Sequence, residues 1–278
     1  MTLALSLFVL FYILMLAVQQ YRPWVALGGA GAFLLLGKLG VYDFTLADAA
    51  RAVDFNVLLM MAGMMGTVFL FIQSKMPARL AEELIAHVPD VRWAVSVLAL
   101  LAGFISAFVD NVATVLMLAP VGMAIAKKLK ISPVAPILTI AVSSNLQGAA
   151  TLVGDTTSIL LGGHMGLDFM DFFVYRGRPG MFWVVEAGAL VTVPVMLLLF
   201  RKEQGKLYGA ELTPVTDYLP TGLLLGTVAS LIAASFVPDK PEITNGVICM
   251  VFFLVGLLLE SRKSKEKSLT ADVLKAID

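Results

Sequence analysis

Apolar residues run along this chain in blocks of about 20, separated by short clusters of charge. A helix needs roughly 20 apolar residues to cross ~30 Å of hydrocarbon. That length predicts spans at about 3–19, 24–41, 56–73, 181–200, 221–237 and 245–259. The first block, "LALSLFVLFYILMLAV", has no basic stretch before it and no small-residue cleavage site, so it reads as a retained helix rather than a signal peptide. Residues 76–91, "MPARLAEELIAHVPDV", mix charge with apolar residues at helical spacing, the pattern of an amphipathic helix lying at the membrane interface.

Two stretches break the pattern. Between Trp93 and Ala126 lie 34 residues in which Asp110 is the sole charge. As one helix they would extend ~51 Å, too far for one crossing. Basic residues flank both ends, so the segment, about 93–128, turns back on itself with Asp110-Asn111 at its centre. Gly103 and Pro120 in the arms permit close packing and bending. One reading is a full hairpin whose tip reaches the far surface, where Asp-Asn suits an exposed turn. The other is a re-entrant hairpin whose tip stops inside the protein at mid-depth, lining a cavity. The second stretch, about 134–170, contains "ILTIAVSSNLQGAATLVGDTTSILLGG" (137–163), apolar at both ends and polar in the middle. It reads as a discontinuous helix broken near Gly154-Asp155, with oxygen-bearing side chains at the break. A small-residue packing helix would explain the glycines but not Asp155.

Composition agrees with a membrane protein. The 278 residues are 59% hydrophobic and 14% charged, with a mean hydropathy of +0.90, whereas a soluble domain carries about 25% charge. Lys+Arg and Asp+Glu balance at 20 each, so no overall field attracts nucleic acid, and none is expected as a partner. The expected partners are the lipid bilayer and a small ion. The lone Cys249 lies in an apolar helix and reads as a packing residue. Basic residues place Lys75, Arg79, Arg92, Lys127, Lys128, Lys130, Arg201, Lys202, Lys206 and the run 262–267 on the cytoplasmic side, with the N-terminus outside. Arg176 and Arg178 then fall in an external loop, against the trend. The location is a multi-pass integral membrane protein, of the inner membrane in a bacterial cell.

A carboxylate at mid-membrane depth costs roughly 2.5–3.5 kcal/mol on insertion scales, and two such residues on two irregular segments point to a site. The candidate ion-binding residues are Asp110, Asn111, Thr114, Ser143, Ser144, Asn145, Thr151, Gly154, Asp155, Thr156, Thr157 and Ser158. If hairpin tip and helix break face each other, the helices starting near Val112 and Thr156 direct their positive ends into the cavity. Two aspartates beside an anion repel it, so a cation or proton belongs at the same place. Asp110, Asn111, Ser143, Asn145 and Asp155 supply the hard oxygen ligands a cation favours. Glu186 is a candidate proton relay, and His164 a structural or interfacial residue. The Met-rich "LLMMAGMMGTVF" (58–69) reads as helix packing rather than a thioether metal site. The expectation is ion-coupled transport with no cofactor beyond sodium or protons. An intramembrane metal-dependent enzyme using Asp110 and Asp155 is a competing class, weakened by the lack of Lys or Arg in either polar segment. A non-transporting membrane subunit is another.

"DNVATVLMLAP" resembles the D-N-x-x-T-V-x-x-x-x-P stretch of the ArsB/NhaD branch of the ion transporter superfamily, and "NLQGAATLVGDTTSILLGGHMGLDF" resembles that branch's N-x-G-G-A-T-x-x-G-D-P-P-N segment. "GAAT" and "GLDF" bring it nearest the melanosomal P-protein type. The superfamily includes citrate and dicarboxylate carriers, arsenite efflux proteins and sodium–proton antiporters. The resemblance implies an all-α, inverted-repeat carrier with re-entrant hairpins and a site at their tips. The chain departs from the pattern at Thr156-Thr157, in place of Pro-Pro, at Ser158, in place of Asn, and at Gln147, in place of glycine. "TLADAARAVD" (45–54) and "LTADVLKAID" (269–278) share Ala-Asp and a closing Ala-aliphatic-Asp at a spacing of 224 residues. They suggest a first repeat over 1–200, a cytoplasmic linker at 201–219 and the first two helices of a second repeat in 220–278. On that reading, a second polypeptide or further chain completes the carrier.

Overall fold

The computed structural model describes residues 2–41, 44–129, 132–201 and 213–263. The second Ala/Asp motif (269–278), much of the linker, and Lys130, Lys202 and Lys206 lie outside the described residues. Among the described residues the chain is helical apart from one two-residue β-hairpin. It divides into two compact units, 1–54 and 55–278.

In the first unit, α1 (Thr2–Ala17) and α2 (Arg22–Lys38) meet at a bend of 115°. The polar Gln19-Gln20 pair and Pro23, at the second position of α2, end one helix and start the next. The Arg22 guanidinium donates to the Met15 carbonyl at 3.2 Å, fastening the corner. The sequence predicts two crossings here; the helices are 16 and 17 residues long. A short α3 (Leu46–Arg51) follows, opened by a Thr45/Asp48 capping box. Those hydrogen bonds hold the Asp48 carboxyl below its ordinary value.

The second unit is built on α4 (Phe55–Gln73), whose apolar residues run all round it. Such a helix is buried in a protein core or spans a membrane. The remaining elements are α5 (Met76–Ala86), α6 (Val91–Ser106), α7 (Asn111–Leu129), α8 (Val134–Gly148), α9 (Thr156–Met165), the strands β1 (Val174–Tyr175) and β2 (Arg178–Pro179), α10 (Met181–Leu199), α11 (Leu219–Ala234) and α12 (Thr244–Lys263). Of the described helices, α4, α10 and α12 are each long and apolar enough to cross a membrane. The core joins α4, α6, α7, α8, α9, α11 and α12 through residues such as Met60, Met64, Leu98, Leu118, Ile140, Leu152, Leu231 and Cys249.

The most extensive helix packing in the unit is between α4 and α12. Gly63 faces the backbone of Cys249 and Met250, and a Cβ there would fall 2.6 Å from the Met250 nitrogen. The Gly246 amide donates to Asn56 Oδ1 at 2.7 Å, so the two helices start at the same end. Cys249 is fully buried in this contact, a packing residue as its sequence context suggests.

Further contacts define two ends of the unit. At one, Lys240 pairs with Asp168 at 2.6 Å, beside the starts of α4 and α12. At the other, Glu82 accepts two hydrogen bonds from Thr213, Thr216 donates to the Ser74 carbonyl, and Phe200 packs with Val91 and Val95. Lys75, Arg79, Arg92 and Arg201, which the sequence assigns to the cytoplasmic side, lie along this second end. There α5 buries Pro77, Ala81 and Ile85 while keeping Arg79 and Glu83 paired on its polar face. Asp90 caps α6, and its hydrogen bond from Arg92 holds the carboxyl below the usual range.

Replacing Gly63 with Val should force α4 and α12 apart. The expected loss is about 1–3 kcal/mol, read as a lower melting temperature in detergent. Gly28→Val, where a Cβ meets nothing within 4 Å, should leave the melting temperature nearly unchanged.

Candidate functional site

The two irregular segments meet each other. α6 ends at Ser106 and α7 begins at Asn111, leaving residues 107–110 as the tip of a helical hairpin. α8 ends at Gly148 and α9 begins at Thr156, leaving 149–155 as a break. Both interruptions leave backbone groups without intrahelical partners, which in a water-poor interior must find others. They find each other. The Thr151 hydroxyl donates to the Ala107 carbonyl, Ser144 Oγ donates to the Asn111 carbonyl at 3.1 Å, and Asn111 Nδ2 donates to Asn145 Oδ1 at 2.8 Å. Gly154 lies so close that a Cβ would be 2.6 Å from the Ala107 oxygen and 2.7 Å from that of Ser106. A side chain at 154 would unseat the tip.

Asp110 caps α7. Its Oδ2 accepts from the Ala113 amide at 3.0 Å and its carbonyl accepts from Thr114 Oγ1, also at 3.0 Å. Asp155 stands at the start of α9 with no side-chain cap bond; its Oδ1 accepts from Thr156 Oγ1 at 3.2 Å. Both carboxylates are half-buried and line one cavity of about 20 Å³, together with Gly154 and Thr156. Its opposite wall is α4, through Met61, Met64, Met65 and Val68. These are the middle residues of a helix long enough to cross a membrane. The tip of the hairpin therefore lies beside the middle of α4. At 16 residues, α6 is ~24 Å long, short of the ~30 Å hydrocarbon core.

The remaining candidates divide by position. Asn111, Thr114, Ser144, Asn145 and Thr151 belong to the hydrogen-bonded seam between tip and broken helix. Ser143 is buried on α8, and its hydroxyl has no partner among the described residues. Ser158 is buried within α9 and Thr157 is exposed beside it. Glu186 is half-buried on α10 and does not line the cavity; His164 is exposed in the last turn of α9.

Three features were not anticipated from sequence. The Met-rich stretch is packing, but it also walls the cavity. Ser106, fully buried in the last turn of α6, brings to the tip another hydroxyl that has no partner among the described residues. Gln147, which stands where the resembled pattern has glycine, is buried with its amide against Gly103 of α6. Among the described residues no three His, Cys, Asp or Glu gather to hold a metal ion. The cavity offers two carboxylates and the starts of two helices, a set suited to one small cation or a proton.

Thr151→Val should leave the Ala107 carbonyl buried without a donor at a cost of about 1–3 kcal/mol. The loss is expected as a lower melting temperature and faster amide exchange at the hairpin tip, whereas Thr157→Val on the exposed face should change neither.

A family model described as "Citrate transporter" matches residues 10–271. An uncharacterized transporter of Mycobacterium tuberculosis is 30% identical over 62% of this chain and 40% of its own length. The P protein of Homo sapiens is 28% identical over 78% of this chain and 26% of its own length. The magnetosome protein MamN of Paramagnetospirillum magneticum is 28% identical over 76% of this chain and 46% of its own length. The chain thus spans less than half the length of these relatives. The matched family and the mycobacterial relative are both described as transporters. The chain is an all-α, multi-pass integral membrane protein and belongs to the citrate transporter family.

Proposed function

We propose that this chain forms the ion-coupled core of a secondary active carrier, in which Asp110 and Asp155 together bind one sodium ion or one proton. The cargo is an anion that travels with the cation, or the cation itself. The observation that carries the reading is the shared cavity of the two carboxylates at the starts of α7 and α9. Each helix N-terminus supplies about half a positive charge. Against two ionised carboxylates this leaves roughly one negative charge, which a monovalent cation or proton balances.

Size supports the same conclusion. A cavity of about 20 Å³ is large enough for one water or an ion of similar size, and far below the ~300–1,000 Å³ of organic-ligand pockets. An organic cargo would bind beside this cavity or in a more open state of the carrier. Binding of the cation discharges the aspartates and permits the hairpin tip and the broken helix to move together; without it, the uncompensated charge opposes that movement. Glu186, outside the cavity, is left as a candidate relay on a proton path.

Relatives more than twice the matched length support a second part of the reading. A second hairpin and broken helix, supplied by more of the same chain or by a second polypeptide, would complete the inverted pair. A non-transporting membrane subunit is the competing reading, and flux separates the two.

In the complete carrier reconstituted into vesicles, Asp110→Asn and Asp155→Asn should each reduce ion-coupled flux at least about tenfold, through loss of the charge with little change of shape. Membrane insertion should be unchanged. Full flux with unaltered sodium and pH dependence in both variants would refute the assignment. Residues 1–278 reconstituted alone should give no coupled flux, and saturable transport by that polypeptide would refute the need for a second half.

A further inference from the structure

At the end of the second unit where α4 and α12 begin, the chain makes its one β-hairpin among the described residues, β1 and β2. The turn is Arg176-Gly177, with φ of 50° and 74°. Positive φ at both central residues is the type I′ pattern, which favours Asn or Asp followed by Gly. An arginine at the first position adopts a backbone conformation that L-residues with long side chains seldom occupy. The turn therefore holds Arg176 at some conformational cost.

What the turn presents is a small basic array. Tyr175 and Arg178 are cross-strand partners, so their side chains share a face of the ribbon. The Arg176 guanidinium lies 5.1 Å from the centre of the Tyr175 ring, which holds it by a cation–π contact. Both arginines and Tyr175 line a cleft of about 760 Å³. Its other walls include Leu167, just past the end of α9, together with Phe172 and Met181. Asp171 also lines it; its Oδ2 accepts from the Asp168 amide at 2.7 Å as part of a capping box. No salt bridge engages either arginine among the described residues.

The position of the cleft relates it to the carboxylate cavity. α9 begins at the cavity and, ten residues or ~15 Å later, ends at the cleft. Met181, in the cleft wall, packs against the cluster of Ala107 and Ala150 from the hairpin tip and the break. The cleft thus stands at the end of the unit away from Glu82, Thr213 and Phe200, where the other basic residues collect.

We infer that this cleft is an oxyanion-binding vestibule, in which Arg176 and Arg178 capture a carboxylate- or phosphate-bearing ligand. Two guanidiniums on a short, rigid ribbon suit such a group because each presents a planar fork of donors. The volume admits an organic anion of several carbons. The site is separate from the carboxylate cavity, and its ligand class follows from opposite charge. The same chemistry is found on a soluble anion and on an anionic lipid headgroup.

The test measures binding rather than flux, so it stands or falls independently of the carrier reading. The full chain, in nanodiscs of phosphatidylcholine, is titrated with inorganic phosphate and with citrate by calorimetry at low salt. The double variant Arg176→Gln/Arg178→Gln should bind at least about tenfold more weakly than the parent. Arg178→Lys should give an intermediate loss, because charge remains but the fork is gone. Both side chains lie at an exposed turn, and an unchanged melting temperature will show that the variants fold. If the parent binds neither soluble anion but retains phosphatidylglycerol in mixed nanodiscs, and the double variant releases it, the ligand is a lipid headgroup and the site holds. Equal binding by parent and double variant, or no binding of soluble anion or anionic lipid by the parent, overturns the proposal.

Discussion

Everything at the centre of this protein depends on two interrupted backbones satisfying each other away from water. The hairpin tip at 107–110 and the break at 149–155 each expose carbonyls and amides that helices normally consume. Thr151, Ser144, Asn145 and Asn111 bridge them side chain to backbone and side chain to side chain. Gly154 supplies the close approach. Either interruption alone would be costly in a low-dielectric interior, where an unpaired polar group loses several kcal/mol. Together they form a seam in which the loss at one is the partner of the other.

That seam needs a wall, and α4 provides it. Enclosed by α9, α11 and α12, α4 places Met61, Met64, Met65 and Val68 opposite the two carboxylates. Unbranched thioether side chains fill irregular space and adapt to small shifts, which suits the uneven surface made by the tip and the break. Behind them, Gly63 lets α12 approach to backbone contact, so the wall is held on its far side by close packing. Soft contact toward the cavity and tight contact away from it follow from residues one helical face apart.

Charge is distributed to match. The negative groups Asp110 and Asp155 sit where two helix starts can partly offset them. The ion pair of Lys240 with Asp168 ties the segment after α9 to the connection between α11 and α12. The arginines of the β-hairpin are held by a ring contact and a constrained turn instead. The anionic cavity and the cationic cleft stand at opposite ends of α9, so a single ten-residue helix connects two regions of opposite sign.

The sequence by itself determined the helical class, most of the helix positions and the two places where helices fail. Hydropathy over 20 residues is a local quantity, and a lone Asp110 in 34 residues or a polar centre between apolar ends is legible without knowing the fold. The helices expected to start near Val112 and Thr156 begin at Asn111 and Thr156. What only the tertiary structure decided was which residues share a space. That Met64 faces Asp155, that Gln147 takes the room left by Gly103, and that Ser106 joins the tip are contacts between residues up to about a hundred positions apart. The same methionines in another register would be ordinary packing. Likewise, the sequence showed Arg176 and Arg178 as a departure from the charge trend, but not that a type I′ turn would set them around one cleft. Periodicity records which face of a helix is apolar; it contains no term for what lies across from it, because that is set by how separate helices pack.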